Sequence, residues 1–362
     1  MRVKSFLLGF LLFCNLNPAW CESVRVGATL PLSGDYSFVG LALQRGMQIA
    51  LNELPPGQIE IWYEDEGVVD RAKAVTGFQK LVSTNSVQVV LGSTVNTVTA
   101  YAPIAAQRKI PVITLWDSNA SLDKLGEYIF SIGYSTERAG EKIARYAFEQ
   151  LKLSKLALVS AHDEWSELVA SAFEATYRKL GGEIVTHESV SMTDSDLRSL
   201  ITRIKAGPAQ GIFAPLYLNA LSALVRQTKE LGYKGKVLVA DGMVDADAQQ
   251  LAASAEGVVL TQIWLDSPTL AEKYKKLCGE SPSPFALSLA ALGYDGIQLV
   301  AAAQAKLNAS HTPLSPTTIR ETLLTLDIPG VSTRLNFQGR RSIPQEESIV
   351  EVRSGKFHKL QD

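Results

Sequence analysis

Short β-branched runs alternate with longer amphipathic stretches along this chain, and the alternation starts afresh near residue 155. A strand-then-helix rhythm favours parallel pairing, because each helix supplies the long connection that a parallel neighbour requires. In the first series, strands are predicted at 24–30, 58–64, 87–91 and 111–114, with helices near 38–54, 71–83 and 97–108. Leu43, Met47, Ala50, Leu51 and Leu54 recur at helical spacing and give the first helix a stripe to lay on the sheet.

The second series places strands at 155–160, 183–189, 211–213 and 236–240, and helices near 164–180, 196–205 and 220–231. Gly181-Gly182 and Gly232 read as helix stops, where left-handed backbone costs glycine no Cβ clash. Beyond Ser267 the rhythm turns helical, near 285–307 and 317–325, and strands at 348–353 and 356–359 flank Ser354-Gly355 as a two-residue hairpin turn. A chain of 362 residues exceeds what one core usually organises, so two α/β lobes in tandem are expected.

At the start, Arg2 and Lys4 precede the apolar run 5–13, which is the anatomy of a secretory signal rather than of a membrane span. Residues 1–21 are therefore expected to be a signal peptide, with Glu22 opening the exported chain. Trp20 is bulky where lipoprotein processing wants a small side chain, which weighs against Cys21 as a lipid anchor. No later stretch reads as a transmembrane helix. Cys14 and Cys21 fall in or at the edge of the signal, so there is no disulfide framework; Cys278 is expected unpaired and largely buried, with a Cys21–Cys278 bridge as the alternative if Cys21 is retained. A formal charge of −2 gives no basic face for nucleic acid.

Catalytic and metal signatures are lacking in the sequence. His162, His187, His311 and His358 are scattered, and no nucleophile elbow, Walker loop or dinucleotide fingerprint appears. Neither a metal nor another cofactor is expected, and nothing points to an enzyme. Asp163, between a strand and a helix, reads as a helix cap. The chemistry falls instead on loops at the carboxyl ends of the predicted strands, where open α/β sheets bind ligands. Asn96 and Thr97 sit at a helix start, either capping it or offering its free N–H groups to a carboxylate. Trp116 and Ser118 follow the fourth strand. Trp165, Tyr217 and Asp241 follow three strands of the second series, and Asp241 is the residue placed to meet a ligand ammonium, with capping of the next helix as its alternative role.

Five segments together carry a resemblance. Val26-Gly27-Ala28-Thr29-Leu30-Pro31-Leu32-Ser33-Gly34 opens the chain, Ala102-Pro103-Ile104-Ala105 precedes Ile110-Pro111-Val112-Ile113, Gly293-Tyr294-Asp295-Gly296 lies on a late helix, and Val350-Glu351-Val352-Arg353-Ser354-Gly355-Lys356 ends it. In their order and spacing the chain resembles the substrate-binding proteins of ABC transporters for branched-chain amino acids, of the type I periplasmic binding fold. The resemblance implies an α/β architecture of two Rossmann-like lobes with parallel sheets, joined by three hinge crossings near 135–138, 262–265 and 337–340. Lobe one would hold 22–136 and 264–337, and lobe two 137–263 and 338–362. It also implies a periplasmic monomer that captures a small solute, an amino acid or related compound, and delivers it to a membrane permease; a periplasmic ligand sensor or regulator on the same fold is the alternative role. In that family Asn96, Thr97, Trp116 and Ser118 align with the carboxylate-holding segments, and Asp241, Tyr217 and Trp165 with the ammonium side and the walls. Two departures stand out: Asn96 where serine is common, and Trp116 where a small residue is usual.

Overall fold

The computed structural model describes residues 22–67, 70–343, 345 and 347–360; the expected signal segment 1–21, with Cys14 and Cys21, lies outside them. The first sheet has the order β2-β1-β3-β4-β6, built from β1 (Val24–Leu30), β2 (Ile59–Asp65), β3 (Val89–Gly92), β4 (Val112–Thr114) and β6 (Ile129–Ser131). Every pairing in it is parallel. β1 is central and buried except at Arg25, as a near-continuous apolar run predicts for a strand covered on both faces. On one face, Val24, Val26 and Ala28 pack with Leu43 and Met47 of α1 (Ser37–Leu51) and with Leu292 and Leu299 of α10 (Pro284–Ala309). On the other, Val90 and Val112 pack with Phe78 of α2 (Arg71–Ser83) and Val98 and Tyr101 of α3 (Val95–Arg108).

The second sheet has seven strands in the order β16-β15-β12-β11-β10-β8-β9. β8 (Lys155–Ala161), β9 (Glu183–Val190), β10 (Gly211–Ala214), β11 (Lys236–Val239) and β12 (Val259–Ile263) are parallel. β15 (Glu347–Arg353) joins antiparallel to β12 and carries the hairpin partner β16 (Lys356–Lys359). Ser354 and Gly355 both take positive φ, 50° and 70°, the geometry that a two-residue turn between twisted strands demands. Between these strands lie α4 (Thr136–Arg145), α5 (Glu164–Lys179), α6 (Arg198–Ala206), α7 (Leu218–Glu230) and α8 (Asp245–Leu251), while α9 (Pro268–Cys278) and α11 (Pro316–Leu323) flank α10. Gly181 and Gly232 stop α5 and α7 with φ of 100° and 63°.

Three expectations need correction. The chain enters α4 directly from the short strand β7 (Tyr134–Ser135), which pairs with β5 (Asp117–Ser118), so the segment 135–138 expected as a crossing is helical from Thr136 onward. β6 was missed because a strand of three residues, Ile129-Phe130-Ser131, is too short to carry a readable period. α10 is long and apolar enough to cross a membrane, with a mean hydropathy of 1.4 in its most apolar window, yet 78% of that window is buried inside the protein. It is a core helix, apolar on every side because it is covered on every side. Cys278, expected largely buried, is half-buried at the end of α9 and unpaired among the described residues.

The contact between α1 and α10 is unusually close. A Cβ on Gly46 would lie 1.8 Å from the Ala290 carbonyl oxygen, and one on Gly293 would lie 2.0 Å from that of Leu43. The two backbones meet where neither helix carries a side chain, so Gly293→Ala must push the helices apart. The expected cost is about 2 kcal/mol or more, read as a lower urea midpoint; an unchanged midpoint would show that the helix pair is free to separate.

Candidate functional site

Parallel pairing places the carboxyl ends of β1, β3 and β4 on one edge of the first sheet and those of β8, β10 and β11 on one edge of the second. The loops leaving all six line a single cavity of about 810 Å³. β1 contributes Asp35 and Tyr36, β3 Thr94 and Asn96, and β4 Trp116 and Asp117. β8 contributes Asp163, Glu164 and Trp165, β10 Tyr217, and β11 Asp241 and Gly242. The strand orders reverse beside β1 in one sheet and beside β8 in the other, and such reversals splay adjacent loops and open a crevice between them.

Of the seven residues chosen from sequence, Asn96, Trp116, Trp165, Tyr217 and Asp241 line this cavity, and Thr97 and Ser118 do not. Thr97 is buried, and its hydroxyl turns to Glu66 at 3.1 Å. Ser118 is buried with its Oγ 2.9 Å from that of Ser342. The cap of α3 is neither Asn96 nor Thr97 but Thr94, whose Oγ1 accepts from the Thr97 N–H at 3.3 Å. Asp163 caps α5 as expected, accepting from the Ser166 N–H at 3.1 Å. Asp241 caps nothing: α8 has Val244 at that position, with Asp247 accepting its N–H at 3.0 Å.

The walls are aromatic and the polar groups mostly acidic. Trp165 and Tyr217 meet edge-on with centroids 5.4 Å apart, and Tyr217 meets Tyr36 in the same manner at 6.1 Å. The indole nitrogen of half-buried Trp116 is enclosed without a hydrogen-bond partner. Asp241 is only 4% exposed. Its Oδ2 accepts a short hydrogen bond from the Tyr134 hydroxyl, and its Oδ1 has no partner. Burial pushes the Asp241 carboxyl upward, against the Tyr134 hydrogen bond that favours its ionised form. Behind it, burial and then the charge of Asp241 push Glu347 well above the ordinary range.

Asp117, which stands between the two residues chosen from sequence after β4, proves central. Its Oδ1 accepts from the Val95 N–H at 2.6 Å, at the amino end of α3. Burial raises its carboxyl to about 7 against that hydrogen bond, with Asp241 and Glu164 adding repulsion. Deeper in the same lobe, burial lifts Glu66 to about 7, opposed by hydrogen bonds from Ser93 and Thr97. Sequence alone could flag the acid after β4 but not its target, because a side chain's direction within a loop has no periodicity.

Contacts between residues of the two layers close the cavity. Arg71 on α2 gives Asn96 Oδ1 two hydrogen bonds, at 3.0 and 2.6 Å, and reaches Glu164 on α5 at 3.2 Å. The Phe285 N–H on α10 donates to Asp245 on α8 at 3.3 Å. Seven carboxylates and two guanidiniums line the cavity. Among the described residues, no group of three or more His, Cys, Asp or Glu is arranged to hold a metal ion. The arrangement suits an enclosed organic solute with a cationic part.

Comparison with known proteins points the same way as the architecture. The profile of a family described as periplasmic binding protein matches residues 23–356. Leu/Ile/Val-binding protein homolog 6 of Brucella suis biovar 1 is 26% identical over 301 residues, spanning 78% of this chain and 76% of that protein. The Leu/Ile/Val-binding protein of Citrobacter freundii is 21% identical over 271 residues, 72% of this chain and 73% of that one. Among solved structures, a branched-chain amino acid transporter substrate-binding protein from Streptococcus pneumoniae, in complex with isoleucine, superposes with a TM-score of 0.81 at 23% identity, covering 93% of this chain and 98% of that one. An ABC-transporter solute-binding protein from Rhodopseudomonas palustris BisB5, in complex with 3,4-dihydroxybenzoic acid, gives 0.79 at 20% identity, covering 94% and 96%. These structural likenesses establish the fold.

The buried acids predict how the empty protein responds to pH. An unfolded aspartate titrates near ~4, whereas the folded Asp117 holds its proton to about 7 and Asp241 is shifted in the same direction. Across that interval the folded chain binds more protons than the unfolded one, so these groups make stability fall as pH rises from about 4 to about 7, then level off. In ligand-free Asp241→Asn one such group is gone and Asp117 and Glu347 lose a like-charged neighbour. Its melting temperature should drop less than the wild type's between pH 5 and pH 8, by roughly 2–5 °C. An equal drop in both proteins would mean that Asp241 does not titrate in this window.

Proposed function

From the chain's membership of the periplasmic binding protein family we propose that it is an exported solute-binding protein, which captures a small amino compound, an amino acid or a relative of one, and delivers it to an ABC-transporter permease without transforming it. The observation that carries this reading is the convergence of six strand-end loops, three from each sheet, on one enclosed cavity with Asp241 in its wall. Asp241 neither caps a helix nor meets a cation, so a buried carboxylate oxygen stands unpartnered. A ligand ammonium removes that penalty, because a buried charge becomes tolerable once it is paired. Trp165 and Tyr217 supply the faces against which the rest of the solute packs.

Capture in such a cavity needs an open state, since loops from both sheets cover the solute. The lobes, 22–136 with 264–337 and 137–263 with 338–362, would part at the crossings and close again on the ligand. The Arg71–Glu164 ion pair and the Tyr36–Tyr217 contact join residues of the two lobes, so parting the lobes would break both. Arg71 and Glu164 are both about half exposed, so their bridge contributes little and opening is not locked. The ligand then supplies most of the preference for the closed state, and that makes permease docking ligand-dependent.

A thermal-shift screen of the chain from Glu22 onward, against amino acids, amides, amines, carboxylates and aromatic acids, should yield a saturable rise in melting temperature with one chemical class. Small-angle scattering with that ligand should show compaction. Asp241→Asn should weaken binding of an ammonium-bearing ligand by about 2–5 kcal/mol. Compaction without any dependence on Asp241 would remove this residue from the site, and turnover of the bound compound would replace the capture reading with an enzyme.

A further inference from the structure

A helix start can seat a ligand carboxylate only while its N–H groups and nearby hydroxyls are free. At α3 the chain itself takes up two of those N–H groups and two of the neighbouring hydroxyls. The Val95 N–H donates to Asp117 Oδ1 at 2.6 Å, and the Thr97 N–H donates to Thr94. The hydroxyls of Ser93 and Thr97 turn away from the cavity to buried Glu66. Asn96 Oδ1 is bound twice by Arg71. A ligand carboxylate arriving here would meet Asp117, an acid, where it needs donors.

Nor do the cavity's two guanidiniums stand ready for an anion. Arg71 is held by Asn96 and Glu164, and Arg45 donates to the Tyr274 hydroxyl at 2.6 Å. On the opposite side of the balance stand Asp117 and Asp241, which act on each other electrostatically, and the Oδ1 of the more buried Asp241 lacks a partner. Paired carboxylates in an aromatic enclosure call for N–H donors that carry positive charge.

Building on the solute-binding reading, we propose that the natural solute is an organic amine whose ammonium lies between Asp117 and Asp241, with no carboxylate on the adjacent carbon. An α-amino acid would bring its carboxylate to the end of α3 that Asp117 occupies. The amine of the same side chain brings only the cation. The unpaired indole N–H of Trp116 leaves room for a neutral acceptor, a hydroxyl or carbonyl, elsewhere on the solute.

Matched series isolate the carboxylate. Calorimetric titrations at pH 7.5 on protein stripped of ligand by unfolding and refolding would compare isopentylamine, leucine and leucinamide, then 2-phenylethylamine, phenylalanine and 3-phenylpropionate. The expected result is that an amine or amide binds at least about tenfold more tightly than its matched amino acid, and that the carboxylic acid binds least. Tighter binding of leucine or phenylalanine overturns this inference and leaves solute capture standing. Absence of binding in both series at millimolar concentration overturns the amine and amino-acid assignments alike, whereas compaction with some other class of solute would still uphold capture. Asp117→Ala removes the acceptor of the Val95 N–H, so it should narrow the preference for amine over amino acid by about tenfold. If that variant does not fold, as judged by its melting curve, the wild-type ranking decides.

Discussion

Parallel pairing is the constraint on which everything else in this protein depends. It sends the carboxyl end of each strand to the same edge of its sheet, and with two such sheets facing one another, six loops distant in sequence meet around one cavity. The helices that make this pairing possible also fill the faces of the sheets. The tightest of their contacts, α1 against α10 through Gly46 and Gly293, holds the late helix on the first sheet and so ties the chain's last third back to its first.

Within the cavity the electrostatics follow from burial. Asp117, Asp241, Glu347 and Glu66 are pushed toward their neutral forms chiefly because the protein removes water from them. The chain compensates Glu66 internally, through Ser93 and Thr97, and Asp117 partly, through the amino end of α3. Among the described residues, Asp241 receives the Tyr134 hydroxyl on Oδ2 and nothing on Oδ1. The buried acids thus differ in how many donors the fold itself provides, and Asp241, Glu66 and Glu347 each keep at least one oxygen without a hydrogen-bond partner among the described residues.

The legible part of the chain was the part with a period. β1 could be read to the residue from VRVGATL, and the strands at Lys155, Glu183 and Gly211 began where the alternation placed them, because strands buried on both faces and helices with an apolar stripe impose repeating patterns. Asp163 as a cap and Ser354-Gly355 as a turn were equally readable, since local backbone hydrogen bonding and φ requirements act over a few residues. β6 and the start of α4 escaped because a three-residue strand has no period and because β7 runs into its helix without a break.

What the sequence by itself determined was the α/β class, the tandem arrangement and the strand-end loops that line the cavity, for these follow from patterns that any stable packing must honour. It also picked out Trp116, Trp165, Tyr217 and Asp241, whose chemistry is conspicuous in polar loops. Only the tertiary structure decided that Thr97 and Ser118 turn inward, that Thr94 caps α3, and that Asp117 rather than a ligand takes the Val95 N–H. Each of those outcomes depends on a partner far along the chain or on the direction of one side chain in a loop, and neither leaves a repeating mark in the sequence. The physical reason is that burial and hydrogen-bond competition are settled between elements, after local propensities have done their part.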